Sequence, residues 1–176
     1  MKKTIQILIA SALLTMTYSS YCQCTTSVDE MTKDKIVSTE LKKIGSGQNG
    51  GLLSPTCFFK MAVSKINDIP YFGIYAERNS ASTIDANDII YIKTQDSVLK
   101  IINPQIQITK VKSGQAFSQG TNNIMYYYAL TIQVDKQTLE YIKNHPVSKI
   151  RVDNIDYEID RPEILTGQIN CILDSK

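Results

Sequence analysis

Residues 123–160, NIMYYYALTIQVDKQTLEYIKNHPVSKIRVDNIDYEID, decide how this chain folds. Residues 124–134 alternate strictly between two faces. A period of two that is rich in β-branched and aromatic residues predicts a half-buried strand. The face assigned to the core carries Ile124, Tyr126, Tyr128, Leu130, Ile132 and Val134.

A short helix is predicted directly after this strand. Asp135 stands where a helix N-cap is expected, and its carboxylate can accept hydrogen bonds from the unpaired amides of the first turn. Leu139 and Ile142 supply an apolar face. Pro146 ends the segment, because the residue before a proline avoids helical geometry.

Residues 147–160 predict a hairpin. Asp153 and Asn154 separate two alternating runs, and both residue types tolerate the positive φ of a two-residue type I′ turn. Such a turn places Val152 opposite Ile155. It also puts Ile150 and Tyr157 on the same face as this pair, so the turn chemistry and the apolar pattern give the same register.

Two earlier hairpins follow the same logic. One turns at Asn67-Asp68 and the other near Asp96-Ser97. The first places in the core Cys57, Phe59, Met61, Val63, Phe72, Ile74 and Ala76. The second buries Ile90, Ile92, Leu99 and Ile101.

The remaining segments complete the predicted fold. Residues 35–44 are interpreted as a strand in preference to an amphipathic helix, residues 45–51 as a flexible glycine-rich loop, and residues 105–112 as an alternating strand through Ile106 and Ile108. Pro162 begins a final helix. The fold class is therefore α+β: a mostly antiparallel β sheet or sandwich of meander hairpins, with two short helices near the C-terminus.

The N-terminus, residues 1–23, predicts a signal peptide. Two lysines precede an apolar run that is too short to span a membrane, and a small-residue and polar stretch follows. Cleavage is expected between Cys22 and Cys24, which leaves 24–176 as a single β-rich domain without a transmembrane segment. Lipidation of Cys22 or Cys24, with anchoring at the outer membrane, is the alternative to a freely periplasmic or extracellular protein.

The charge balance changes once the predicted leader is removed. Lys2 and Lys3 account for two of the 19 basic residues, so the chain without the leader has 17 basic and 17 acidic side chains and a formal net charge of zero. A neutral chain without a basic block argues against a nucleic-acid partner and against an anionic membrane surface.

Cysteines are few. Cys24, Cys57 and Cys171 remain after the predicted cleavage, and an exported protein permits disulfides. Three cysteines allow three pairings, and no CxxC spacing indicates zinc. Because Cys57 lies on a core face, a bridge between Cys57 and Cys171 is predicted.

Catalytic and metal sites are not predicted. His145 is the only histidine in the chain, which excludes a histidine-rich metal site, and the acidic run around the Asp153 turn lacks the glycine and terminal glutamate of an EF-hand. No cofactor is expected. A hydrolase that uses a pair of carboxylates from distant strands remains a third alternative.

Tyrosines provide the candidate binding residues. If the core faces are assigned correctly, Tyr71, Tyr75 and Tyr127 point to the opposite faces of their strands, and Tyr91 joins them. Tyrosine combines a large apolar ring with a polar tip and is enriched where proteins meet partners. The alternative is that these rings only stiffen an exposed sheet face.

The chain resembles small, uncharacterised exported proteins of the Bacteroidetes type. The likeness lies in Cys24 with residues 28–32 (VDEMT), in residues 134–140 (VDKQTLE) and 147–152 (VSKIRV), and in a final helix that ends at residues 171–173 (CIL). The resemblance implies export and a mixed, β-rich fold, and it implies no activity.

These observations favour a binding or structural module of the cell envelope, with an envelope protein or a glycan as partner. Recognition of a small ligand or glycan by the surface tyrosines is the alternative reading.

Overall fold

The structure, a computed structural model, describes residues 23–48, 55–112 and 124–175. The predicted leader before residue 23 lies outside the described residues. The strands of the structure are β1 (Cys24–Val28), β2 (Lys35–Thr39), β3 (Lys42–Gln48), β4 (Thr56–Ile66), β5 (Ile69–Arg78), β6 (Thr83–Ile84), β7 (Ile89–Thr94), β8 (Val98–Ile102), β9 (Gln107–Ile108), β10 (Lys110–Val111), β11 (Tyr126–Gln133), β12 (Val147–Val152) and β13 (Ile155–Ile159). Its helices are α1 (Lys136–Asn144) and α2 (Pro162–Asp174).

Eleven strands form one sheet whose neighbouring strands run antiparallel, and the sheet curls into a half-barrel. Its main path runs β10-β11-β5-β4-β3-β13-β12-β7-β8, with β2 pairing β4 and β1 pairing β2. β6 and β9 form a small second sheet. The α+β, mostly antiparallel fold class expected from the sequence is confirmed.

Helix α2 packs against β1, β2, β3 and β4, and against helix α1. Its buried residues include Leu165, Ile169 and Ile172, as the helical spacing predicts. Gln168 is also fully buried, and its side-chain amide donates to the carbonyl oxygens of Glu40 (2.8 Å) and Met61 (3.1 Å). The helix is therefore fastened to the sheet by hydrogen bonds as well as by apolar packing.

The β4–β5 hairpin has the predicted register. Ile66 pairs with Ile69 across the Asn67-Asp68 turn, and both turn residues have positive φ, 47° and 69°. This is the type I′ geometry that asparagine and aspartate tolerate. The apolar residues that the sequence assigned to the core on β4 and β5 are all buried.

The β12–β13 hairpin also has its predicted register, with Val152 opposite Ile155. Only Asp153 has positive φ (54°), however, whereas Asn154 does not. A positive φ at the first central residue alone is the pattern of a type II′ turn, so the predicted type I′ geometry is wrong. The side chain of Asp153, described below, is tied to the sheet and holds this conformation.

The strand and the helix predicted within residues 123–160 agree with the structure in most details. Tyr128, Leu130, Ile132 and Val134 are buried, whereas Ile124, before the start of β11, is 42% exposed. Asp135 caps α1 and accepts a hydrogen bond from the Thr138 amide at 2.5 Å.

The predicted glycine-rich loop begins later than expected. Residues 45–48 belong to β3, and the rest of the predicted loop lies outside the described residues. A Cβ on Gly45 would lie 2.3 Å from the Glu158 carbonyl oxygen, and one on Gly47 would lie 2.5 Å from the Asp156 carbonyl oxygen. These glycines allow β3 and β13 to approach closely, so they serve strand packing and not flexibility.

Residues 105–112 do not form the single strand that was predicted. They hold only the two-residue strands β9 and β10, and Ile106 (62%) and Ile108 (69%) are exposed. The alternation is present, but no second layer covers it in the described part of the chain.

The disulfide joins Cys24 to Cys171, with 6.0 Å between their Cα atoms, so the predicted Cys57–Cys171 bridge is wrong. Cys171 lies at the edge of the apolar face of α2, on the side that contacts β1. Cys57 is fully buried in the sheet core as a free thiol, and its Sγ donates to the Pro55 carbonyl oxygen at 3.7 Å. The bridge therefore fastens the first strand to the last helix.

Neither α1 nor α2 has the length and apolar character that a membrane-crossing helix requires, and the structure describes no other helix.

Candidate binding face

The convex face of the large sheet carries the candidate tyrosines. Tyr71, Tyr75 and Tyr127 lie together on the adjacent strands β5 and β11, where Ala129 pairs with Tyr75 and Gln133 with Tyr71. Tyr91 lies on β7, which β4, β3, β13 and β12 separate from β5. The structure thus brings three of the four predicted residues together and leaves Tyr91 apart.

Tyr75 is held between two neighbours. Its ring stacks on that of Tyr127 with 4.8 Å between centroids, and the ammonium of Lys60 lies 5.0 Å from its centroid on the adjacent strand. Stacked aromatic pairs and cation–π contacts each contribute about 1 kcal/mol. These contacts fix the position of the ring before any ligand arrives.

A buried carboxylate underlies this aromatic group. The Glu77 side chain is only 2% exposed although it points to the convex face. It accepts hydrogen bonds from the Lys112 ammonium (2.8 Å) and the Phe58 backbone amide (3.1 Å). Both partners satisfy a charge that would otherwise be costly to bury.

The aromatic cover is extended by Phe58, which is 36% exposed. The ammonium of Lys43 lies 4.1 Å from its ring centroid, and that of Lys112 lies at 5.9 Å. One end of this face is therefore a fixed group of aromatic rings and lysines.

The Tyr75 hydroxyl has a raised pKa. Burial, the negative charge of Glu77 and a hydrogen bond with Glu77 raise the pKa of Tyr75 to about 12. The hydroxyl consequently stays protonated at any physiological pH, and it can donate a hydrogen bond but cannot act as a base.

Between Tyr71 and Tyr75 the face is lined by small side chains. Gly73 lies midway between them on β5, and in the register it has Ala62 on one side and Thr131 on the other. We call this strip, with Ala129, the trough. A Cβ placed on Gly73 would meet only Ala62, at 3.7 Å and beyond, so no described residue covers the trough floor.

The trough has aromatic ends and neutral sides. Its length follows from the strand geometry, since four residues of β5 span about 13 Å between Tyr71 and Tyr75. Ser64 and Gln133 flank Tyr71 in the register, and Lys60 flanks Tyr75. These side chains supply hydrogen-bond donors and acceptors without an exposed carboxylate.

The concave side holds a separate polar cluster behind this face. The Arg78 side chain is 7% exposed, and its Nη1 donates to Asp153 and to the Tyr128 hydroxyl (3.1 Å). Ser82 also donates to Asp153, at 2.8 Å. Burial alone would raise the pKa of Asp153, but hydrogen bonds from Arg78 and Ser82 bring that pKa below its usual value. The cluster anchors the β12–β13 turn to β5 and has a structural role.

Tyr91 belongs to a more charged part of the convex face. A surface cavity of about 160 Å³ is lined by Tyr91, Lys93, Val98, Lys149, Arg151 and Asp156. Arg151 forms two hydrogen bonds with Asp156, at 2.5 and 2.9 Å, and Lys149 pairs with Glu158 at 2.7 Å. Much of this charge is therefore neutralised within the sheet.

Cys57 and His145 are of residue types that can act in catalysis or metal binding, and both have structural contacts here. Burial raises the pKa of the Cys57 thiol, which makes it a poor nucleophile. His145 stacks on Tyr141 at 4.1 Å, and its Nδ1 lies 2.9 Å from the Tyr141 carbonyl oxygen. Within residues 23–48, 55–112 and 124–175, no group of three or more His, Cys, Asp or Glu could hold a metal ion.

Sequence reasoning found the tyrosines but not their supporting residues. Gly73 carried a signal, because a glycine inside a well-patterned strand indicates a bulge, a bend, or a position that a ligand or another backbone approaches closely. Lys60 and Glu77 could not be identified, because their roles depend on which strands become neighbours. A search of family models, curated proteins and solved structures found nothing that matches this chain.

Proposed function

We propose that this protein is an exported binding module of the cell envelope and that it recognises saccharides at the trough on its convex face. The observation that carries the proposal is the open floor at Gly73, between Tyr71 at one end and Tyr75, whose ring is held by Tyr127 and Lys60, at the other. Neither the backbone geometry nor the packing at this position requires glycine, so the missing side chain is best explained by something that occupies the space above it.

The chemistry of the trough suits a sugar. The C–H groups on one side of a pyranose carry partial positive charge and pack against the negative face of an aromatic ring. Sugar hydroxyls need both donors and acceptors, which Thr131, Gln133 and Ser64 supply. Lys60 adds one positive charge, so neutral and acidic sugars are both compatible with the trough.

A polypeptide ligand fits this face less well. β4 and β5 each have a hydrogen-bonded strand on both sides, so their backbone groups cannot pair with an added strand. The trough is also shallow and lacks the deep apolar recess in which a side-chain anchor is usually buried.

The test is a titration of residues 24–176 with soluble neutral and uronic-acid oligosaccharides, followed by calorimetry. An open face of this kind is expected to bind with a Kd on the order of 0.1–1 mM. Loss of one stacked ring should cost about 1 kcal/mol, which is about fivefold in Kd, in each of Tyr71→Ser and Tyr127→Ser.

Tyr91→Ser is the matched control, because it removes a convex-face tyrosine that lies outside the trough. It should bind as the wild type does. If no oligosaccharide binds the wild type, or if Tyr91→Ser weakens binding as much as Tyr71→Ser, the proposal is wrong.

A further inference from the structure

The edge strand β8 presents unpaired backbone groups among the described residues. It is the last strand on its side of the sheet and pairs only with β7. Backbone hydrogen bonds from Thr94 N to Ser97 O (2.9 Å) and from Asn103 N to Asp88 O (2.8 Å) bracket the ladder. Hydrogen-bonded pairs alternate in antiparallel strands, so the backbone groups of Val98, Lys100 and Ile102 face away from β7.

The side chains along this edge are unusually apolar for an exposed strand. Val98 is 51% exposed and Ile102 is 60% exposed, with Lys100 between them. On β7, Ile89 lies opposite Ile102 and is itself 36% exposed. Natural edge strands are usually protected by charge, proline, bulges or a covering segment, and Lys100 is the only such device on β8.

Space is available beside the edge. A groove of about 360 Å³ lies next to the second half of β8, with Lys100, Ile101 and Ile102 on one side. Its other side is formed by the end of β11 and the start of α1, from Gln133 to Asp135 with Thr138. Because β8 ends the path of the sheet, an added strand would continue the sheet beside this groove.

We propose that β8 binds an extended segment of a partner polypeptide by strand addition, with an acidic side chain of that segment beside Lys100. Strand addition satisfies the outward backbone groups, and alternate apolar side chains would cover Val98 and Ile102. The charge of the edge favours an acidic occupant, because Lys93 and Lys100 take part in none of the ion pairs among the described residues. A second copy paired symmetrically about Lys100 would place two lysines opposite each other, which is destabilising.

The experiment uses a synthetic peptide of about ten residues, alternating Val and Thr with one central Glu, titrated into residues 24–176 by calorimetry. A control peptide carries N-methyl groups on alternate amides and so cannot form the ladder. The first peptide should bind with a Kd below about 1 mM and the methylated peptide at least tenfold more weakly. Equal binding of both peptides, or no binding of the first, would overturn the proposal.

Two variants at Lys100 separate the backbone from the charge. Lys100→Pro removes the outward amide without breaking a bond to β7, and proline is tolerated at such edge positions. Lys100→Ala keeps the amide and should bind more tightly than Lys100→Pro. Circular dichroism verifies that both variants fold.

Charge reversal tests the choice of partner. Lys100→Glu should prefer the peptide in which the central Glu is replaced by Lys, and light scattering should find the wild type monomeric. Unchanged preference in Lys100→Glu would contradict the charge argument. A wild-type dimer that Lys100→Pro abolishes would assign the edge to a second copy instead.

Discussion

Breaking the Cys24–Cys171 disulfide should lower the free energy of unfolding by about 5 kcal/mol. The bridge closes a loop with a sequence separation of 147 residues. In the chain-entropy model, the conformational freedom removed from the unfolded state corresponds to about 5 kcal/mol at 25 °C. For a domain of this size, each kcal/mol shifts Tm by roughly 2–4 °C, so Tm should fall by about 10–20 °C.

The assay is thermal melting of oxidised residues 24–176 and of the variants Cys24→Ser, Cys171→Ser and the double variant. Each single variant already opens the loop, so the double variant should be no less stable than either one. Cys57→Ala is the control for the third cysteine. It should lose only the contacts of a buried thiol and should remain sensitive to reductant.

Counting the reactive thiols in denaturant tests directly whether the Cys24–Cys171 disulfide is present. The oxidised protein should expose one reactive thiol, that of Cys57. Three reactive thiols, or melting curves of the wild type that do not change with reductant, would contradict the bridge. Additive losses in the double variant would indicate that the two cysteines stabilise the fold independently of each other.

Three other predictions can be tested. Asp153→Asn should cost about 3 kcal/mol at neutral pH, because it leaves the buried Arg78 guanidinium without its charged partner. Because the pKa of Asp153 is lowered, the wild type should lose part of that advantage as pH falls below about 4, whereas the variant should not, in denaturant melts at several pH values. Gly45→Ala should cost at least about 2 kcal/mol of stability, because the added Cβ would overlap the backbone of β13. Gly73→Ala, in contrast, should be neutral or stabilising by up to about 1 kcal/mol. Equal effects of the two substitutions in denaturant melts would contradict the different roles assigned to these glycines. If the proposed export and cleavage occur, the intact mass of protein recovered from the periplasm or the medium will place its N-terminus between Cys22 and Cys24, and a mass that includes acyl chains will indicate lipidation instead.

The hairpins could be predicted from the sequence because their information is local. Asn67-Asp68 and Asp153-Asn154 combine turn residues with flanking alternation, and both signals agree on one register. The core faces follow directly from that register. Helix α1 could be predicted for the same reason, because its N-cap Asp135 and the following Pro146 lie within a few residues of its apolar face.

The arrangement of the hairpins in the sheet could not be predicted in the same way. Nothing near Tyr91 in sequence indicates that four strands separate β7 from β5, so the predicted group of tyrosines included one residue that lies apart from the others. The disulfide partner of Cys171 depends on where α2 crosses the sheet. Ile106 and Ile108 have the pattern of a buried strand, but burial requires a covering layer, which alternation alone does not specify.

Glycine was the most misleading residue in the sequence. Gly45 and Gly47 lie in a run that is typical of a flexible loop, yet they are needed where two strands approach closely. Gly73 has neither role. Only the contacts around each Cβ position distinguish these cases, and they make Gly73 the best single position at which to test the proposed function.

The most direct measurement is an NMR titration of isotope-labelled wild type and Gly73→Thr with the best-binding oligosaccharide. Threonine favours strands and should raise stability by up to about 1 kcal/mol while filling the trough. Binding at the trough predicts wild-type amide shifts concentrated at Ala62, Gly73, Ala129 and Thr131, and no saturable shifts in the folded variant. Binding that survives in Gly73→Thr, or shifts concentrated elsewhere on the sheet, would contradict it.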